Sequence, residues 1–167
     1  MERPTEPAGV SAGRRRASGI YGTIVTAAVI AAGGSSLTTL ALEVTVLVTL
    51  VVYWLSEQYA ELLGEKILDG RLPRLETVMG SLANAWPMVT SSFVPLLTLI
   101  VVRVLGGSAP VAADVALGVT ILLLVLHGHA AGRASGLSGA RLVAVTIAAG
   151  LLGTAMILLK VFVRVHH

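Results

Sequence analysis

From Leu37 to Ser56 the chain runs twenty residues with a single charge, Glu43. At the helical rise of about 1.5 Å per residue this stretch spans roughly 30 Å, the thickness of a bilayer's hydrocarbon core. A run of that length and polarity predicts a membrane-spanning helix. No helix breaker ends it. Tyr53-Trp54 supplies the amphipathic rings found at headgroup level. Beyond them Glu57, Glu61 and Glu65 recur at four-residue spacing, so the helix is expected to continue to residue 65, outside the apolar layer.

The rest of the chain has the same character. Of 167 residues 55% are hydrophobic and 13% charged, with a mean hydropathy of +0.87, whereas a soluble domain carries about 25% charged residues. The apolar runs predict an all-α fold, a polytopic transmembrane helix bundle of five spans near 19–33, 37–56, 87–103, 111–127 and 141–160. They form one domain over 19–165. Residues 1–18, with Pro4, Pro7, Gly9 and Gly13, read as a disordered cytoplasmic tail.

Ile20–Ala32 is short enough to resemble the apolar core of a secretory signal peptide. A second span follows at once, which favours a retained helical hairpin, and Gly22, Thr26, Ala27 and Ala31 suit close helix packing. Leu75–Leu82 reads as a short interfacial helix. Pro87 suits a first helical turn. Pro95 should kink the third span and free a carbonyl that Ser91 and Ser92 can help satisfy. Asp114 is placed in the first turn of the fourth span, where an acid is favourable.

Charge orients the bundle. With the N-terminus inside, nine of the twelve basic residues (Arg3, Arg14, Arg15, Arg16, Lys66, Arg71, Arg74, Arg133, Arg141) fall on the cytoplasmic side. Arg103, Lys160 and Arg164 fall on the other. The positive-inside rule therefore predicts an N-terminus in and a C-terminus out. The net charge of +3 sits beside apolar spans and not along a soluble stripe, so nucleic acid is not an expected partner; the lipid bilayer is. Residue usage rich in Ala, Val, Gly and Arg suggests a bacterial source, hence the bacterial cytoplasmic membrane. The absence of cysteine excludes disulfides and thiolate metal sites.

A few polar groups stand where chemistry is conceivable. Glu43 lies about two turns inside the outer end of its span, and on a helical wheel it shares a face with Leu47, Leu50, Trp54, Glu57 and Glu61. It is either a proton- or cation-binding carboxylate or a neutral, hydrogen-bonded packing residue. Lys160 ends the fifth span in the same outer half and is the expected partner of Glu43, with Arg103 second. Glu57, Glu61 and His127 would line the cytoplasmic mouth of an ion path. With His129 they make a weak candidate set for a divalent metal; the rival reading is a solvated helix end and an ordinary loop. The glycine-rich segments lack the G-x-x-x-x-G-K-[ST] phosphate-loop pattern, and no nucleophile–base context is readable, so neither enzymatic activity nor a cofactor is expected.

The run Tyr53-Trp54-Leu55-Ser56-Glu57-Gln58-Tyr59-Ala60 resembles the W-x-x-H-x-Y-A stretch of small uncharacterised integral membrane proteins from actinobacteria. That family shares the layout of tail, loop and spans with a closing Lys/His segment, and it implies no particular activity. Here Glu57 stands where the family carries His. A role in proton or metal handling at that position would therefore pass to a carboxylate with different ligand preference.

Two functions follow from these residues. One is a small proton or cation permease or channel, with Glu43 on its path. Five short helices enclose little pore, so a homo-oligomer is expected in that case. The other is a structural or accessory membrane protein whose polar residues fix helix packing or bind a partner. A membrane enzyme ranks third.

Overall fold

A computed structural model describes residues 8–34, 36–66 and 75–166. The described residues form seven helices and no strand: α1 (Ala8–Gly33), α2 (Thr39–Lys66), α3 (Leu75–Ala85), α4 (Pro87–Thr90), α5 (Phe93–Val104), α6 (Ala109–Ala134) and α7 (Gly139–His166). Five segments are long and apolar enough to cross a membrane: Gly13–Gly33, Thr39–Glu61, Val78–Val104, Ala109–Ala134 and Gly139–Phe162. The protein is an all-α, five-span transmembrane bundle.

Successive spans run in opposite directions, so the bundle has two ends. We call them the arginine end, which holds Arg14–Arg16, and the lysine end, which holds Lys160. Helices α1 and α6 are the central antiparallel pair. Helix α7 packs on α6 and α1, α5 packs on α6, and α2 packs on α1, α3 and α4. Between them Ala27, Ile30, Val46, Leu50, Met88, Leu99, Ala112 and Ala116 are fully buried. On α2 the inward stripe is Leu42, Val46, Leu50 and Gln58 with the partly covered Trp54, a four-residue ridge that fits the groove of a neighbouring helix. The outward faces are equally apolar: Val44, Val48 and Val52 on α2, and Ile147, Leu151 and Leu158 on α7, are exposed. A surface of that kind belongs against lipid.

Both short turns at α6 use one chemistry. Gly106 and Gly136 take positive φ (89° and 75°). The next amides reach back, Gly107 N to Val102 O (2.9 Å) and Leu137 N to Gly132 O (3.1 Å). This glycine-terminated cap satisfies the last carbonyls of a helix and reverses the chain in a few residues.

The α6–α7 seam is closely packed along its length. Asp114, Ile121 and Gly128 on α6 face Lys160, Gly153 and Ala149 on α7. A Cβ at Gly128 would stand 3.0 Å from Ala149 Cβ, and one at Gly132 2.9 Å from Leu142 Cδ1. Small residues thus let the two backbones close up where dispersion and hydrogen bonds must hold helices together. His129 Nδ1 and Thr146 Oγ1 are 3.1 Å apart across the same seam.

Two sequence expectations shift. Helix α1 starts at Ala8, so Arg14–Arg16 are helical and not part of a tail; residues 1–7 lie outside the described ones. Helix α6 starts at Ala109, which puts Asp114 in the second turn. The break expected from Pro95 falls at Ser91-Ser92, one turn before it, where the proline cannot donate to the Ser91 carbonyl; Pro95 itself sits in the first turn of α5.

Candidate functional site

The third span is in three pieces, and its breaks organise the arginine end. Pro87 cannot donate to the Ala83 carbonyl, so α3 stops at Ala85 with free carbonyls in its last turn. Neighbouring helices fill them. Trp54 Nε1 from α2 donates to Leu82 O (3.2 Å), and Ser18 Oγ from α1 to Ala85 O (3.5 Å). Trp54 meets Trp86 edge-on at 5.3 Å, and Tyr21 stacks on Tyr53 at 6.0 Å. At the second break Ser91 Oγ donates to Met88 O (2.8 Å) and Ser92 Oγ to Val89 O (2.7 Å). Helix α1 passes this break at Gly22, where a Cβ would run into the Met88 carbonyl and the Ser91 hydroxyl.

The three arginines are treated differently. Arg14 pairs with Glu61 of α2. Arg15 donates from Nε and Nη2 to Asn84 Oδ1 of α3 (3.2 and 3.0 Å). Arg16 makes no hydrogen bond or ion pair to another described residue. Between α1, the α4–α5 break and α6 lies a cavity of about 520 Å³, walled by Arg15, Arg16, Ile20, Ser91, Val94 and His127 among others.

At the lysine end the buried Lys160 pairs with Asp114 of α6, whose side chain is 53% exposed. Arg103 Nη1 donates to Gly107 O (2.7 Å), closing its own helix end. Both cations proposed for Glu43 are therefore engaged elsewhere. Glu43 is half-buried on α2, one position round from the inward residue Leu42. Helices α2 and α7 lie on different flanks of the bundle with at most a marginal contact, so Glu43 and Lys160 do not meet.

The other site residues are also dispersed. Glu57 is exposed on α2, within electrostatic reach of Glu61 and Arg14. His127 lies on α6 in the wall of the arginine-lined cavity, and His129 faces Thr146. Among the described residues no three His, Asp or Glu side chains come together as a metal group, so Glu57, Glu61, His127 and His129 do not form one. Among the described residues that line the cavity at His127, the guanidinium groups of Arg15 and Arg16 carry the charge, and they repel a cation. Sequence reading missed the cavity and the Asp114–Lys160 pair. The two were forty-six positions apart, and only the adjacency of α6 and α7 joins them.

Comparisons with protein-family models, with curated proteins and with solved structures found no match.

Proposed function

We propose that this is a non-conducting accessory protein of the bacterial cytoplasmic membrane, with the arginine end inside, whose intramembrane polar groups fix helix packing. The observation that carries this reading is how the polar groups are used between the two ends. Thr23, Thr26, Ser92 and Thr120 are buried there, and each hydroxyl donates to a carbonyl of its own segment one turn back. Of the other buried polar residues described, Ser18 and Gln58 lie toward the arginine end and Lys160 toward the lysine end, and the core between is apolar. A proton or cation path needs a chain of exchangeable groups from one side to the other, and no such chain links Asp114–Lys160 to Arg14–Glu61 among the described residues. A permease with Glu43 on its path is the weaker reading, because Glu43 sits at the edge of the α2 stripe and not on a shared polar face.

The reading is tested by reconstituting the full chain in liposomes under a potassium diffusion potential and following internal pH and cation content. Leak equal to that of empty liposomes is expected. Flux that Glu43→Gln abolishes would replace this reading with the permease. Orientation is tested with single cysteines, which are unique labels in a chain without any. Ser138→Cys should react from the cytoplasmic side and Ser108→Cys from the outside; the opposite pattern inverts the assignment.

A further inference from the structure

We propose that the cavity between α1, the α4–α5 break and α6 binds an anionic phospholipid, with Arg15 and Arg16 on its phosphate and an acyl chain along Ile20, Val94 and Leu123. This goes beyond the packing role and does not depend on which side of the membrane the arginine end faces.

Charge is the first reason. Among the described residues that line the cavity, Arg15 and Arg16 are the charged ones, with His127 beside them and no acid. Arg14, one position earlier, has the Glu61 carboxylate. Among the described residues Arg15 has only the neutral amide of Asn84, with no carboxylate on it, and Arg16 has no partner. Two adjacent guanidinium groups match the bidentate geometry of a phosphate. The Thr90 and Ser91 hydroxyls donate to Pro87 O and Met88 O, so donors for an anion come from the arginines and the His127 ring.

Shape is the second. One turn deeper than the arginines the lining turns apolar at Ile20, Val94 and Leu123, and Val94 is itself exposed on the outer surface of the bundle. A polar mouth above an apolar wall that opens to the bilayer suits a headgroup with its chain; free phosphate would leave the lower part empty. The volume of about 520 Å³ lies within the range of small-molecule sites. Basic pockets between helices near the membrane surface are recognition sites for anionic headgroups.

Gly19 is the third. Unlike Gly22, it is not forced by packing: a Cβ there would meet only Pro87 O, at 4.0 Å. Glycine inside a helix is unfavourable relative to alanine. Its lack of a side chain keeps the cavity open.

The test is native mass spectrometry of the detergent-purified full chain with dioleoylphosphatidylglycerol or dioleoylphosphatidylcholine, which share acyl chains and differ in headgroup charge. The anionic lipid should be retained roughly tenfold better, and Arg15→Gln with Arg16→Gln should erase that preference while Arg103→Gln at the other end keeps it. Gly19→Leu keeps both arginines and fills the cavity, so it should lose the lipid adduct with its thermal midpoint unchanged. Equal retention of the two lipids, a preference that survives the double arginine change, or an adduct undiminished in Gly19→Leu would each overturn the proposal. So would inorganic phosphate protecting the protein against heat as well as the anionic lipid does, since that would make the site one for free phosphate.

Discussion

The two ends of the bundle use charge in opposite ways. At the lysine end the ion pair is structural: Lys160 is buried, its ammonium is held by Asp114, and Arg103 is spent on its own helix terminus. At the arginine end the helices are held by shape and by neutral hydrogen bonds, through the Gly22 crossing, the edge-on tryptophans and the side chains that fill the carbonyls of a broken helix. Around that packing Arg14 pairs with Glu61 and Arg15 bonds the Asn84 amide, while Arg16 has no described partner. One end buries the lysine of its ion pair, and the other has, among the described residues, two guanidinium groups without a carboxylate around a cavity. Charge that is not needed to hold a fold is available to bind something.

That contrast can be broken by substitution. Gly22→Leu should have the largest effect, because the added atoms meet the Met88 backbone and not the far end of a flexible side chain. A loss of about 3 kcal/mol or more, or no monodisperse protein, is expected from thermal unfolding in detergent. A mild effect would mean that shape does not hold the arginine end. Asp114→Asn comes next. It strands a buried ammonium, and the roughly 3–5 kcal/mol of a broken dry pair is an upper limit that the half-exposed Asp114 lowers to about 2 kcal/mol. Lys160→Met leaves the more exposed carboxylate alone and should cost less, about 1 kcal/mol. The double variant should be more stable than Asp114→Asn alone, and a double variant as unstable as that single one would remove the pairing argument. Glu61→Gln should be smallest, within about 1 kcal/mol, because its pair with Arg14 is partly solvated. If Glu61→Gln destabilised as much as Asp114→Asn, the two ends would be alike.

The spans were legible because an apolar run of twenty residues has few alternatives to crossing a bilayer. The close-packing reading of α1 held as well: Ala27 and Ala31 are buried in the core and Gly22 is at a crossing. Other features were hidden for identifiable reasons. Pro4, Pro7 and the nearby glycines suggested a tail, yet α1 begins directly after Pro7 in sequence, and Arg and Ala are good helix formers. Pro95 marks the break one turn before it, and the Ser91 and Ser92 hydroxyls donate to carbonyls of the turn there. The pairing of Glu43 with Lys160 was argued from depth alone. Depth follows from counting residues along a helix, whereas neighbourhood depends on the order of helices around the bundle, which periodicity does not encode. The cavity depends on three helices at once and was invisible for the same reason.

The seating of α7 on α6 bears on how these two helices reach their place. Sliding one past the other by a single turn, about 5.4 Å, would move Gly153 off Ile121 and bring either Ile157 or Ala149 to that level. Only one seating also joins Asp114 to Lys160. The tight reversal at Gly136 allows that seating to be found locally, without the other spans. The α6–α7 hairpin can then enter the bilayer as a single closed unit. An acid and a base that would each resist hydrocarbon enter it as a neutral couple.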